Sequence, residues 1–395
     1  MAEQEAEKKK PRMNKRVRKR LWCAAIFLII VLFALALSWK CGLWGSQSVD
    51  EKLAAIEAER AIPDEENAAV FYNQLLEDPN TSLDYRPGFL DNESDTLTLR
   101  QPWSGKDYPE LAVWIKEHQP LIDGLLEASQ FEKCQFPIFI EPYRFTQMKR
   151  LSLMRKWAFL LRRAANNDIG QGRTDDAIAK WQCLIQMGRH LHQQPTLADY
   201  LVGIAIEALG VNQTIAFLVQ GDADENYLQK IELLPLRRHD DWAAVLDRIL
   251  PVEELAEQKM KEQLGLLDRL KYTFGYGPFA SMKDPDCERI RGQDLRILAC
   301  SRGIHILAAL RRYRNTNGRW PESLDEIKSS LPEEFLVDPS NNGSFVYMLT
   351  DDGFRLYGKG QNGIDENARR GDGADDQLIW PRTGWKTEQK SANAG

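Results

Sequence analysis

The chain has 395 residues, of which 43% are hydrophobic and 28% charged, proportions that leave ample material for a buried core. Its net charge of −6 conceals nine Lys or Arg between Lys8 and Arg20, so the remainder is more acidic still. An acidic bulk without a basic stripe argues against nucleic acid as a partner. Six cysteines with no CxxC pair are too few for a disulfide scaffold.

Residues 1–20, centred on KKKPRMNKRVRKR, read as a disordered basic tail. Residues 21–39, LWCAAIFLIIVLFALALSW, hold no charge and no proline. About 19 apolar positions are close to what one helix needs to cross the hydrocarbon core. Only a helix satisfies its own backbone there, and Trp22 and Trp39 stand at the two ends, where indole rings favour the interface. The positive-inside rule then keeps the basic tail in the cytoplasm and exports the rest. This predicts a single-pass protein of the inner (cytoplasmic) membrane with its C-terminal bulk extracytoplasmic. A cleaved signal peptide is the rival, because Ala34 and Ala36 form an AxA-like site. The apolar run exceeds the roughly 7–15 residues of a signal core, which favours an uncleaved anchor. No later stretch reads as apolar enough to cross again.

Residues 50–271 read as a helical domain. A helix is expected from Asp50 to Arg60, then another to Leu76 with Asp64 able to cap it. Residues 78–103 are polar and without periodicity, so a long surface loop is expected. Pro109 opens a helix to about Glu127, with Leu111, Trp114, Ile115, Leu121 and Leu125 at helical spacing. The signal is strongest from Arg144. Leu151, Met154, Trp157, Ala158, Leu161 and Ala165 define one apolar face, and Gly170-Gln171-Gly172 stops the helix. Thr174 is expected to cap the next, with Asp175 and Asp176 in its first turn, where the helix dipole favours negative charge. This hairpin resembles one tetratricopeptide unit, but no second copy follows at the required period. Further helices are expected over 197–219, 225–233 and 242–270, giving an array of antiparallel hairpins. Residues 272–293, which open with Gly, Pro and aromatics, read as a linker, and 382–395 as a disordered tail.

Residues 294–381 form a distinct α+β module. A helix from Asp294 to Asn315 ends at Asn317-Gly318, where Gly permits a left-handed cap. Ser323 is spaced from Glu326 as in a capping box. FVYML and FRLYG flank a turn at Asp351-Asp352-Gly353 and read as a β-hairpin; one more short strand is expected over 377–380. The fold class is therefore mainly α: a single transmembrane helix, a helical-hairpin array and a small module with an antiparallel sheet.

The order of these elements (a long helix ending ALRRY, the NGRWP turn, Asp338-Pro339, a sheet with DGFRLYGKG, and an acidic loop closing on DDQLIW) resembles the globular part of the major pseudopilins of type II secretion systems. The resemblance covers residues 294–381, under a quarter of the chain. It implies a calcium ion held by the last loop, with Asn362, Asp375 and Asp376 at positions matching the family's ligands and Asp365 and Asp372 able to contribute. Calcium takes about 6–8 oxygens from carboxylates, amides and carbonyls, which such a loop can supply. The span lacks the glutamate that the family carries just inside its own. The whole layout resembles that of uncharacterised envelope proteins of bacteria.

No GxSxG, HExxH or GxxxxGK[ST] pattern is present. His190 and His192 are two apart, so on a helix they diverge by about 200° and cannot chelate one ion together. A helix-end position that favours a cationic imidazole explains them. His305 reads as a core residue, and the Glu253-Glu254 and Asp240-Asp241 pairs as solvated helix starts. The tryptophans fit core packing, although a groove lined by them could hold a peptide or sugar. Two functions are expected: a non-enzymatic envelope scaffold that binds a protein partner, or a hydrolase acting on a cell-wall or glycan substrate through scattered acids.

Overall fold

The computed structural model describes residues 47–138, 145–237, 241–263, 284–351, 353–371 and 373–381. The predicted span at 21–39, the basic tail before it, residues 272–283 of the expected linker and the tail 382–395 lie outside the described residues. Those described form a mainly helical protein with a small antiparallel sheet.

Helix α1 (Val49–Arg60) opens on a reciprocal cap, in which the Ser48 N–H donates to Glu51 Oε2 at 2.8 Å and the Glu51 N–H to Ser48 Oγ at 3.2 Å. Helix α2 (Ala68–Glu77) is capped by Asn67, whose side chain accepts from the Ala69 N–H at 3.0 Å. The expected cap, Asp64, instead lies in a short 3-10 turn before it. The stretch expected as a loop over 78–103 contains α3 (Asn92–Arg100). Its start is set by Asp91, which accepts from the Ser94 N–H at 2.7 Å; with one buried residue, Thr98, it has too little apolar face to show periodicity.

The single helix expected from Pro109 to Glu127 is two, α4 (Pro109–Glu117) and α5 (Gln119–Ala128). His118 leaves helical geometry at φ −93°, ψ 11°, because Pro120 has no N–H to donate and its ring would crowd the preceding turn.

Three long helices follow: α6 (Phe145–Gly170), α7 (Thr174–His192) and α8 (Leu197–Gln220). Thr174 is the first residue of α7 rather than its cap; Arg173 precedes the helix and makes no side-chain cap bond. Thr196 does cap α8, accepting from the Asp199 N–H at 3.2 Å. Helices α7 and α8 touch backbone to backbone. A Cβ on Gly188 would lie 2.8 Å from both the Gly203 carbonyl and the Glu207 nitrogen, so only glycine fits there.

At 24 residues and mean hydropathy 1.7, α8 is long and apolar enough to cross a membrane, contrary to the expectation that no later stretch would be. Its most apolar window is 67% buried by the protein itself, so α8 serves as a core helix. Helices α9 (Glu225–Glu232), α10 (Trp242–Gln263) and α11 (Asp284–Asn317) complete the helical part. The last begins inside the expected linker and ends, as predicted, at Gly318 with φ +71°.

In the module, strands β1 (Val346–Thr350) and β2 (Gly353–Gly358) pair antiparallel with Val346 opposite Tyr357 and Leu349 opposite Phe354. A two-stranded ribbon, β3 (Arg370–Gly371) with β4 (Ala374–Asp375), lies within the acidic loop. Strand β5 (Gln377–Trp380) then pairs with β2, giving the order β1-β2-β5 with an irregularity at Leu356/Tyr357.

One buried cluster runs from Trp181, Ile185 and Ile215 through Ile304 and Leu307 to Leu356 and Ile379. A second joins α2, α4 and α5 to α6 and α7 around Tyr72, Leu125 and Trp157. The module and the helical body therefore share a core, instead of standing apart across the linker expected at 272–293. Trp103, Trp157, Trp181 and Trp242 are buried, so the groove they were expected to offer as an alternative is not formed by these four. Cys134, Cys183, Cys287 and Cys300 are not disulfide-linked.

Candidate functional site

The acidic loop connects β2 to β5, and its turns are built by side chains that cap its own backbone. Asp375 Oδ2 accepts from the N–H groups of Gln361 at 2.8 Å and Asn362 at 3.3 Å. Asp376 Oδ2 accepts from those of Glu366 at 3.0 Å and Ala368 at 2.7 Å. Each aspartate thereby engages one oxygen with the backbone. The Asp376 and Glu366 side chains are hydrogen-bonded to each other, while Asp375 Oδ1 is shielded from solvent beside Gly360. A carboxyl hydrogen-bonded to a carboxylate holds one proton between the two.

The four predicted ligands divide. Asp375 and Asp376 each turn Oδ2 to the loop backbone. Asn362 and Asp365 are turned to the loop itself: Asn362 Oδ1 accepts from the Ile364 N–H at 2.6 Å, and Asp365 Oδ1 accepts from the Tyr357 hydroxyl at 2.9 Å and the Asn367 N–H at 3.0 Å. Asn362 instead positions Glu366, donating from its amide to Oε1 at 2.6 Å. Glu366 is a further acid of this loop that the sequence reading did not single out. It stands in IDENA between two expected ligand positions, and acidity near the motif was the available signal. Asp372 lies outside the described residues.

Burial raises the Asp376 carboxyl above its ordinary range and the adjacent Glu366 adds to the rise, while the Ala368 N–H opposes it. Glu366 is held below its ordinary range, by the Asn362 amide first and by the Asp376 carboxyl as well, so the proton of the pair stays on Asp376. Among the described residues no three acidic, His or Cys groups already form a metal cage. An ion would have to draw the oxygens together, which an oxygen-ligand site of flexible geometry tolerates.

The remaining titratable groups are engaged in structure. His190 donates from Nε2 to the Phe131 carbonyl at 2.8 Å, which leaves Nδ1 to accept from the Tyr72 hydroxyl at 3.0 Å. Burial lowers its pKa to about 4, so it is a neutral link rather than the cationic helix end expected. His192 is lowered further, by burial first and then by Arg237 and Arg248. It faces Glu207 at 3.7 Å in a buried centre where Arg237 pairs with Glu207 at 3.2 Å and with Asp294 at 2.5 Å. Glu253, expected to be solvated, accepts from the Leu197 N–H at 2.9 Å and so caps α8 from another helix. His305 is buried and stacks on Phe335 with ring centroids 4.0 Å apart, as expected of a core residue.

No family model, curated protein or solved structure matches the chain.

Proposed function

We propose that the chain is a membrane-anchored, extracytoplasmic protein without enzymatic activity. It acts as a scaffold for a protein partner in the cell envelope, and its pseudopilin-like end is ordered by calcium. The anchor is the transmembrane helix at 21–39, and the scaffold is the array of helical hairpins downstream. The observation that carries this reading is the acidic loop between β2 and β5, which gathers Asp365, Glu366, Asp375 and Asp376 into one short stretch and leaves Asp375 Oδ1 shielded without a donor. Calcium would be held by Glu366, Asp375 and Asp376, with Asn362 and Asp365 shaping the loop around it. When bound it would supply charge neutralisation and rigidity.

The sequence of a long helix, a turn, an antiparallel hairpin, an acidic loop and a closing strand lends further support to the pseudopilin-like reading. Engagement of His190, His192 and Glu207 in buried contacts favours a binding role over catalysis by those groups.

Calorimetric titration of calcium into the detergent-solubilised full chain tests the metal. Saturable binding of one ion is expected, whereas no heat at millimolar calcium would remove it. Protease digestion of intact spheroplasts carrying a C-terminal tag tests the anchor, because a protected tag would place the bulk in the cytoplasm. Crosslinking in solubilised membranes should capture one recurrent envelope protein, and recovery of none would count against the scaffold.

A further inference from the structure

Helix α6 carries six Lys or Arg and a single acid, Asp168, in a chain whose net charge is −6. Asp168 is already paired, with Arg173 at 2.6 Å and Lys180 at 2.7 Å. Two of the cations are likewise engaged inside the protein, Arg150 by Asp199 and Arg163 by Asp95. The other four, Lys149, Arg155, Lys156 and Arg162, have no ion pair among the described residues. Contrary to the expectation from composition, this one helix bears a basic stripe.

Met148, Ser152, Arg155, Phe159 and Arg162 recur at helical spacing and share one face of α6 over roughly 21 Å. Met148 is 44% exposed, Arg155 is exposed, and Phe159 and Arg162 are half-buried. Tyr85 widens this face. Its ring meets Phe159 edge-on with centroids 5.6 Å apart, and the Arg155 and Lys156 cations stand over it at 5.6 and 5.8 Å. Asp84, next to it in the chain, is exposed and makes no ion pair. At the far end, Arg162 Nε is shielded without a hydrogen-bond partner. Burial lowers the Arg162 pKa to about 10, and the neighbouring Arg100 and Arg163 add to the fall. The carboxylate at hand, Asp95, is already taken by Arg163. A partly desolvated guanidinium beside two like charges gains from an anion supplied from outside.

We infer that this face of α6 docks on an anionic phospholipid surface, with Arg155 and Arg162 on headgroup phosphates and Met148 and Tyr85 at the edge of the acyl region. The docking rests on the membrane tether proposed above. A guanidinium fork matches phosphate oxygens in pairs. Basic side chains are drawn to anionic leaflets, and apolar and tyrosine side chains between them suit the interface. A free phosphate would meet the charges and leave Met148 and Tyr85 in water.

Lysine acylation of the full chain in phospholipid nanodiscs reads the contact, because Lys149 and Lys156 stand on this helix. Discs of phosphatidylcholine alone are compared with discs of equal parts phosphatidylcholine and phosphatidylglycerol. Acylation of both lysines by an uncharged reagent should slow about fivefold in the anionic discs. That of the exposed Lys328 should not change. Salt at about 1 M should restore the rates, and Arg155→Glu, at an exposed and unpaired position, should abolish the slowing. Equal rates in the two discs would overturn the proposal and leave these cations to an acidic protein or a soluble anion. Slowing that persists in both Arg155→Glu and Arg162→Gln would overturn it as well. A chain that fails to enter phosphatidylcholine discs would sink the tether alone. Flotation with phosphatidylglycerol vesicles then decides the docking: binding that Arg155→Glu weakens supports it, and no binding overturns it.

Discussion

The hydroxyl of Tyr200 donates to Asp294, and Arg237 reaches the same carboxylate from the α9–α10 connection. Three separate segments therefore meet at one buried oxygen. Burial and the Asp294 charge push the Tyr200 phenol well above its ordinary range, while Glu207 and Asp294 hold Arg237 firmly protonated against its burial. Removing Asp294 leaves Tyr200 without its acceptor and Arg237 with one counter-ion where it had two. Asp294→Ala is expected to cost about 3–5 kcal/mol in urea unfolding. A loss below about 1 kcal/mol would show that α11 does not depend on this junction.

Acid should find the His190 link. Its folded pKa, about 4, lies below the ordinary 6.5, so the unfolded chain binds the proton more readily. The contribution is complete above pH 6.5 and is lost as pH falls toward 4, by up to about 3 kcal/mol. His190→Gln lowers stability at neutral pH by breaking the Tyr72 bond, yet its stability should fall less steeply over that window. Parallel stability–pH curves for the two proteins would refute the assignment.

Trp157 is fully buried, and its Nε1–H donates to the Thr81 carbonyl at 3.0 Å. Trp157→Phe keeps most of the apolar contact but strands that carbonyl and opens a small void. About 1–3 kcal/mol should be lost by denaturant unfolding, with the larger Trp157→Ala loss at roughly 3–5 kcal/mol. Equal losses for the two variants would mean that the hydrogen bond, not the volume, fixes the ring.

For the loop, chelation should lower the melting temperature of the full chain, and Asp376→Asn should abolish the difference between calcium and chelator. Glu366→Gln should weaken calcium binding by at least tenfold in the same calorimetric titration. Asn362→Ala should weaken it less, because Asn362 positions Glu366 and its own oxygen is taken by the Ile364 N–H. Unchanged affinity in Glu366→Gln would return the ligand set to the aspartates alone.

Much of the helical body was legible because α6, α7 and α8 bury a regular face over many turns. The β-hairpin and the cap at Gly318 were legible because turn chemistry is local. What escaped was set by distance. Helix α3 is held through Asp95 by Arg163, far along the chain, and Glu253 caps a helix it does not belong to. In the loop, Asp375 and Asp376 were expected as ligands from the resemblance, and the structure shows both accepting backbone N–H groups of the loop. Glu366 became visible only once the fold had brought it beside Asp376, and the same geometry shows Asn362 Oδ1 and Asp365 Oδ1 engaged within the loop.

Helix α8 bears on biogenesis under the export proposed above. A segment this apolar, if passed through a secretion channel before its neighbours have folded, is at risk of slipping sideways into lipid and stopping there. Glu207 stands near its midpoint, and a carboxylate at such a depth raises the cost of insertion by roughly 2.5–3.5 kcal/mol. The residue that later meets Arg237 would thus first keep the nascent chain moving. A Glu207→Leu protein would be expected to acquire a second crossing and strand its sheet on the wrong side.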